Sequence, residues 1–286
     1  MANLRDIRKR VRSVKNTQQI TRAMKMVAAA KLRRAQEAAL ASRPYAHKLG
    51  EVLAALSARA DTSAHPLFQR PDSEVTALVV VTADRGLCGG FNTNLCKAAS
   101  EAFHKLESAG RKPTLYLVGR KGRDYFRRRR FPILKEKLNI FAKLKYGHAH
   151  DLADELSEQF TSGELGGVSV VYNEFKSVMA PKIQVEELLP IAAPADDDAG
   201  GTEYEYEPDP TTLLRQIVPM HLRTQVWRVL QESAAAEHAA RMTAMEAATK
   251  NAGERIEALT LHMNKVRQAS ITTELIEVVS GAAAQE

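Results

Sequence analysis

The sequence predicts an α/β protein in which both ends of the chain form a long antiparallel two-helix coiled coil and the middle forms a small α/β domain. Apolar residues recur every three or four positions through both ends of the 286-residue chain, which is the spacing of one helical face. The middle instead alternates β-branched runs with helical segments, an order typical of a mostly parallel sheet. The expected boundaries are 1–60 for the N-terminal long helix, 74–190 for the α/β domain, 191–210 for an acidic loop and 211–286 for the C-terminal long helix.

The N-terminal segment is predicted to be one helix from Asn3 to about Ala60, because Pro44 and Gly50 are its only helix-breaking residues. A helix of ~50 residues would be ~75 Å long, far longer than an ordinary globular helix. The apolar positions expected to form its seam are Leu4, Ile7, Val11 and Val14, followed by Ile20, Met24 and Val27.

The C-terminal segment has the same character from Thr211 to Ser280, where only Pro219 and Gly253 interrupt it. Two long helices at opposite ends of one chain favour antiparallel pairing, and the alanines in the seam would let the backbones approach closely. The N-terminal helix begins near Asn3, so Ile271–Gly281 is expected to extend past it as a single helix. The expected seam positions are Met245, Ala248, Ala252, Ile256, Leu259, Met263 and Val266, with Ile271, Leu275 and Val278 following after a phase shift.

The middle of the chain is predicted to form a Rossmann-like domain, because strands and helices alternate along it. A β-branched run at Glu74–Thr82 indicates a buried first strand. The other predicted elements are helices at Asn92–Ala109, Arg123–Arg130 and Ala149–Phe160, a strand at Thr114–Val118, and a strand pair at Val168–Phe175 and Lys182–Leu189 turned at Ala180-Pro181.

Charge is unevenly distributed along the chain, whose net charge is +7. Residues 1–50 carry 13 Lys and Arg against only Asp6 and Glu37, whereas residues 196–209 carry seven acids and no base. Such asymmetry usually indicates partners. No apolar run is long enough to span a bilayer, and the first residues lack the apolar core of a signal peptide. A reducing cytoplasmic location is therefore expected, with any membrane association made through a partner.

The segment Asp84–Asn92 follows the first strand and precedes a helix, where an α/β fold can bind a phosphate. Its glycines fit neither phosphate-loop spacing, so a tight turn with positive φ is favoured over a nucleotide site. His148 and His150 are two residues apart, which is not the spacing of a helical metal pair. Cys88 and Cys96 lack metal-binding spacing as well. No metal, cofactor or catalytic motif is expected, although a small dinucleotide-dependent enzyme remains an alternative.

A run of four arginines, Arg127–Arg130, adds to the basic N-terminal helix. Nucleic acid is one possible partner of such a surface. The N-terminal helix has no aromatic residue before Tyr45 to stack on bases, which favours an acidic protein partner instead. A basic coiled-coil nucleic-acid-binding protein remains the second alternative.

Several motifs, in order along the whole chain, make the sequence similar to F-type ATP synthase gamma subunits. The strongest is C-terminal, where Asn264-x-x-Arg267-Gln268-Ala269-Ser270-Ile271-Thr272 leads into Glu274-Leu275-x-Glu277-Val278-Val279-Ser280-Gly281-Ala282. The others are Ile7-Arg8-x-Arg10, Asn16-Thr17-Gln18-x-Ile20-Thr21-x-Ala23-Met24-x-Met26-Val27-Ala28, Ser42-Arg43-Pro44-Tyr45, the turn Asp84–Asn92, Tyr206-Glu207-Pro208-Asp209, and Arg241-Met242-x-Ala244-Met245-x-Ala247-Ala248-x-x-Asn251-Ala252.

This resemblance implies a rotor stalk that couples rotation of a membrane c ring to conformational change at catalytic alpha–beta sites, with proton translocation. The coiled coil would stand inside the alpha and beta subunits, and the α/β domain would rest on the c ring beside epsilon, with delta in the same complex. The chain itself would catalyse nothing and hold no cofactor. It would lie peripherally on the cytoplasmic face of the bacterial inner membrane.

The resemblance also assigns contact residues, with Lys25 standing where some relatives carry an acid. The residues expected to contact the alpha and beta stator are Met24, Lys25, Arg241, Gln268, Thr272, Glu274, Leu275 and Val278. Those expected to contact the c ring or epsilon are Tyr204, Tyr206 and Glu207.

Overall fold

The structure is a computed structural model that describes residues 4–59, 65–177, 181–192, 206–207 and 209–283. Its contacts divide the chain into two compact units. One unit, called here the terminal coil, contains the residues up to Ala28 together with those from Met242 onward. The other, called the central unit, runs from Ala29 to Arg241.

The helices and strands follow the predicted order, with one strand more than expected. The helices are α1 Leu4–Ser57, α2 Phe91–Ser108, α3 Arg120–Arg128, α4 Tyr146–Thr161 and α5 Pro210–Ala283, with 3₁₀ turns at Pro66–Phe68 and Ile140–Ala142. The strands are β1 Val75–Val81, β2 Lys112–Val118, β3 Ile133–Lys137, β4 Gly167–Phe175 and β5 Pro181–Leu189.

The five strands form one sheet in the order β3-β2-β1-β4-β5. β1 lies parallel to both β2 and β4, and β2 lies parallel to β3. β5 is antiparallel to β4, so the predicted strand pair and the mostly parallel sheet are both confirmed. The strand that the sequence did not predict is β3, an edge strand with a charged sequence (Ile-Leu-Lys-Glu-Lys).

The sheet is buried on both faces, which explains why β1 (Val-Thr-Ala-Leu-Val-Val-Val) is almost entirely apolar. Val79 and Val81 of β1 face a core shared with α4, α5 and the C-terminal turns of α1. Leu78 and Val80 face the opposite core, which contains Leu95 of α2 and other residues of α2 and α3. This alternation follows from the period of two in a strand.

In the terminal coil the two helices run antiparallel, as predicted. Lys25 pairs with Glu246, and Gln18, earlier on α1, reaches Thr249, later on α5. Every predicted α5 seam position from Met245 to Val266 is buried or half-buried, with Met245 and Ala252 the most buried. The seam prediction for α5 is therefore confirmed from Met245 to Val266, whereas Ile271, Leu275 and Val278, which continued the predicted stripe, are exposed.

The predicted α1 seam is correct at its start but wrong at Ile20 and Val27, which are exposed. The buried or half-buried side lies one helical position further on: it continues from Val14 through Gln18, Thr21 and Lys25 to Ala28. These positions alternate steps of four and three, the heptad spacing of a coiled coil. The observed seam therefore includes polar residues at heptad positions, whereas the prediction placed the seam at the nearby apolar residues.

Beyond the seam, all residues from 267 to 281 are exposed. Leu275 is 61% exposed and Val278 is 70% exposed, although both lie within the continuous helix α5. We call residues 271–281 the tip. Among the described residues nothing covers it, as the sequence predicted for a single helix.

Candidate functional site

The terminal coil presents Met24 and Lys25 near its polar layer. Met24 is half-buried in the seam. The Lys25 ammonium group lies 2.6 Å from a carboxylate oxygen of Glu246 on the opposite helix. Both side chains remain well exposed, so this ion pair contributes at most about 1 kcal/mol to stability. Lys25 therefore carries its charge at the surface, partly compensated within the coil.

Next to this ion pair, Thr21 and Thr249 form a polar layer inside the seam. Their hydroxyl oxygens lie 2.8 Å apart, and Thr21 is almost fully buried. The Gln18 side-chain amide also donates to the Thr249 carbonyl, at 3.5 Å. Polar side chains in a coiled-coil seam fix the register of the helices at some cost in stability. Sequence reasoning missed this layer, although the heptad steps through Thr21 would have indicated it.

The tip and the residues just before it contain five of the predicted contact residues. The Thr272 hydroxyl donates to the Gln268 carbonyl at 2.9 Å, and the Ser270 hydroxyl donates to Glu274 at 3.0 Å. These contacts are local to α5 and leave the surface open. The exposed apolar side chains of Leu275 and Val278 complete a surface that a free chain would expose to water.

The last predicted stator residue, Arg241, is bound within the central unit. Its guanidinium donates to the Gly86 carbonyl at 2.5 Å and to Glu237 at 2.6 Å. The side chains of Arg241 and Glu237 are only 13% and 9% exposed. Burial raises the pKa of the Glu237 carboxyl, and the arginine opposes that rise. Arg241 thus anchors the glycine-rich turn to α5.

The glycine-rich turn is braced by its own side chains. Asn92 accepts a hydrogen bond from the Ala83 amide at 2.9 Å and donates to the Arg85 carbonyl at 3.3 Å. Gly89 has a φ of 57°, which agrees with the predicted tight turn. Leu87 also has a positive φ, of 64°, and its side chain is exposed.

Helix α5 packs against this turn at the carboxyl end of β1. Ala236 of α5 belongs to one buried cluster with Ala83, Cys88 and Phe91. The Ser233 hydroxyl donates to the Val81 carbonyl at 3.4 Å. Doubly wound folds bind nucleotides outside the carboxyl ends of their strands. Here α5 occupies the end of β1, so the geometry does not favour the nucleotide alternative.

The residues expected to contact the c ring or epsilon are only partly described. Tyr204 lies outside the described residues. Tyr206 is half-buried against the core of the central unit, with the Arg59 guanidinium 5.6 Å from its ring centre. Glu207 is exposed. The structure therefore fixes one of these three side chains against the α/β domain.

The histidines singled out in the sequence take part in local contacts. The His148 ring accepts a hydrogen bond from the Lys145 amide at 3.2 Å, at the start of α4. The His150 ring lies 3.2 Å from Asp154. Within the described ranges, no group of three or more His, Cys, Asp or Glu is arranged to hold a metal ion. Burial raises the pKa of the Cys88 thiol, which keeps it protonated and unreactive.

The four-arginine run spans the C-terminal end of α3, which stops at Arg128, on the surface of the central unit. All four side chains are exposed, and the Arg129 guanidinium stacks 3.7 Å from the ring centre of Tyr125. None of the described helices is both long and apolar enough to cross a bilayer. Because the four arginine side chains are exposed, this surface can contact an acidic partner, but nothing in its geometry selects nucleic acid.

Comparison with known proteins agrees with the resemblance in the motifs. A family model described as ATP synthase matches residues 3–285. A chain named ATP synthase gamma chain from Prosthecochloris aestuarii is 50% identical over 289 residues, covering 99% of both chains. Another of that name, from Geobacter sp., is 51% identical over 283 residues, covering 99% of this chain and 98% of that one.

Solved structures agree in fold. A chain from the central stalk and c-ring structure of the Tetrahymena thermophila mitochondrial ATP synthase is 26% identical with a TM-score of 0.61, over 80% of this chain and 99% of that chain. A chain from the Euglena gracilis mitochondrial enzyme has a TM-score of 0.67 at 19% identity, over 99% of this chain and 94% of that chain, and so supports the fold. Nothing in these relatives supports a nucleic-acid-binding protein. This chain belongs to the ATP synthase gamma-chain family.

Proposed function

We propose that this subunit is the central rotor shaft of a proton-translocating ATP synthase. It couples rotation of a membrane c ring to conformational change at the catalytic alpha–beta sites. The observation that carries this proposal is the terminal coil, in which two antiparallel helices lead into a single exposed helix. The family membership and the central-stalk structure of the Tetrahymena relative support it.

In this function the chain contributes shape and stiffness rather than a catalytic group. An asymmetric shaft can hold neighbouring sites in different states only if it contacts each of them differently. A two-helix coil with a polar layer and a single-helix end presents different surfaces around its axis. ATP would then be made at the alpha–beta sites, and the free chain would not hydrolyse it.

The tip is the proposed bearing. Leu275 and Val278 give it an apolar surface that a surrounding apolar collar of alpha and beta subunits can contact without strong directional bonds. Gln268, Thr272 and Glu274 are placed to form hydrogen bonds with stator loops. The other proposed stator contacts are Met24 and Lys25 of the terminal coil and Arg241 of the central unit.

For Arg241, the contacts within the chain suggest an indirect role. Its guanidinium is mostly buried and already bonded to Glu237 and Gly86, so it would act by holding the glycine-rich turn against α5. For Lys25, the exposed ammonium group can bond an acidic stator loop when it leaves Glu246.

The α/β domain would rest on the c ring beside epsilon through Tyr204, Tyr206 and Glu207, with delta in the same complex. Tyr206 supports this role because its ring is fixed against the domain while Glu207 beside it is exposed. The membrane would be reached through partners, on the cytoplasmic face of the bacterial inner membrane.

Deletion of the residues after Ile271 tests the bearing. Complexes assembled with alpha and beta subunits are expected to form in lower yield and to generate less torque under load. Circular dichroism of the truncated chain should match the full-length chain within the loss of one short helix, because the tip packs on no described residue. A truncated chain that assembles and turns normally would contradict the bearing. Global unfolding would show that the tip belongs to the core.

A further inference from the structure

A cavity of about 590 Å³ opens in the central unit, and none of the contact residues assigned above lines it. Residues 36–46 of α1 and 224–235 of α5 form two of its walls. Tyr146 at the start of α4 and Phe175 and Lys176 at the end of β4 complete the lining. Pockets that hold small organic ligands have volumes of ~300–1,000 Å³. The cavity is therefore large enough for such a ligand.

The lining of the cavity includes four aromatic side chains. Tyr45, Tyr146, Phe175 and Trp227 all contribute to it. The Tyr146 and Trp227 rings meet edge to face, with centres 5.9 Å apart and planes at 76°. Tyr45 and Tyr146 remain about half exposed within the described part of the chain. Aromatic rings in this arrangement form a preformed stacking surface.

The free charge around the cavity is positive. The Arg228 guanidinium is bonded to Tyr172 at 2.9 Å and to Glu186 at 2.6 Å, and it also lies 3.5 Å from Glu232, the one carboxylate in the lining. Arg43, by contrast, forms no hydrogen bond or ion pair with any described residue, and Lys176 lies a long 3.5 Å from Glu174. Arg43 is thus available to a ligand, whereas Lys176 would exchange its ion pair with Glu174 for a contact with the ligand.

We propose that this cavity binds a small aromatic monoanion, a fused or linked ring system that carries one carboxylate or sulfonate. The rings would stack on Tyr146 and Trp227, and the acidic group would lie between Arg43 and Lys176. A partner helix would cover the same aromatic residues. The cavity volume and the two cationic side chains in its lining, Arg43 and Lys176, fit a compact anion better. Because the lining includes both α1 and α5, an occupant would join the two helices within this unit and raise its stability by linkage.

Trp227 provides the measurement, because it is the only tryptophan in the chain and it lines the cavity. The full-length chain is titrated with anilinonaphthalene sulfonate, a two-ring aromatic anion, and with phenylnaphthylamine, its uncharged analogue. Energy transfer from Trp227 selects dye bound near the cavity over dye bound to other apolar surfaces. The sulfonate is expected to bind about fivefold more tightly than the uncharged dye, the effect of one exposed ion pair.

Substitution in the lining locates the site. Arg43→Gln is expected to weaken sulfonate binding about fivefold and to leave the uncharged dye unchanged. Arg34→Gln is the matched control, since Arg34 is exposed on the same helix but lies nine residues, or 2.5 turns, away and outside the lining. Ala46→Met, which fills part of the cavity with a good helix former, is expected to weaken both dyes.

Three results would overturn the proposal. The first is the absence of energy transfer from Trp227 to either dye. The second is equal binding of the two dyes, or equal effects of Arg43→Gln and Arg34→Gln. The third is loss of sulfonate binding when the chain is assembled with its partner subunits, which would show that a protein partner covers this cavity.

Discussion

The buried pair of Arg241 and Glu237 makes the sharpest stability prediction, because their side chains are only 13% and 9% exposed. Arg241→Ala removes the cation that lies 2.6 Å from the Glu237 carboxylate and also frees the Gly86 carbonyl. Removing one partner of a buried ion pair typically costs 3–5 kcal/mol. We expect about 3 kcal/mol here, because the carboxyl can take up a proton instead of remaining charged.

The pH dependence of this loss follows from the same contacts. Burial already raises the pKa of Glu237, and Arg241 opposes that rise. In Arg241→Ala, the folded-state pKa of Glu237 lies further above its unfolded-state value than in the parent chain. The stability that the neutral Glu237 carboxyl contributes is therefore present at acid pH and is lost as the pH rises through the folded-state pKa. The loss in free energy of unfolding caused by Arg241→Ala should therefore be smaller at about pH 5 than at about pH 8.

The assay is urea unfolding followed by circular dichroism, with thermal melts in parallel. A loss of about 3 kcal/mol corresponds to a Tm decrease of roughly 6–12 °C for a chain of this size. Arg127→Ala, at an exposed arginine, should change stability by less than about 0.5 kcal/mol. In a double-mutant cycle, Glu237→Gln should recover part of the Arg241→Ala loss. A loss below about 1 kcal/mol, or one independent of pH, would refute the coupling of this pair to stability.

Three further perturbations test other parts of the structure. Gly119→Ala should destabilise the central unit by more than about 2 kcal/mol in urea unfolding. Gly119 has a φ of 95°, and an added Cβ would lie 2.1 Å from the carbonyl oxygen of Thr82. A variant as stable as the parent chain would contradict this backbone geometry. Thr21→Val should cost about 1 kcal/mol, and addition of Thr249→Val should recover most of it, since the hydroxyls then no longer face an apolar partner; additive losses would argue against the polar layer. Deletion of residues 203–207 should weaken coupling of ATP hydrolysis to proton pumping but spare hydrolysis by the soluble complex; loss of both would place these residues elsewhere than at the c ring.

Much of the fold could be predicted because the relevant signals are local. The α5 seam from Met245 to Val266 repeats with helical spacing, and β1 is apolar at every position but Thr76, as expected of a strand that is buried on both faces. Pro44 and Pro219 lie inside the two long helices without ending them, although each proline removes one backbone hydrogen bond.

The parts that escaped prediction depend on contacts between distant segments. β3 is a charged edge strand, and its Lys135 and Lys137 are both paired with Glu155 of α4. No local pattern shows such a partner. The polar seam position of α1 escaped prediction for the same reason, because Thr21 contacts Thr249, which lies more than 200 residues away in sequence.

The candidate site also contains features that the sequence could predict and features that it could not. The exposed tip could be predicted from its apolar composition and from where the N-terminal helix begins. The burial of Arg241 could not, because it depends on α5 packing against the glycine-rich turn through Ala236 and Ser233. Tyr204 remains a prediction from resemblance alone.

Rotation of this chain inside an assembled alpha–beta complex tests the shaft function most directly. The complex is fixed to a surface through its beta subunits, and a probe is attached to the α/β domain of this chain, at a cysteine replacing exposed Arg127. We expect the probe to turn in one direction when ATP is added and to stop when hydrolysis is inhibited. Steady ATP hydrolysis by a complex in which the attached probe does not turn would contradict the shaft function.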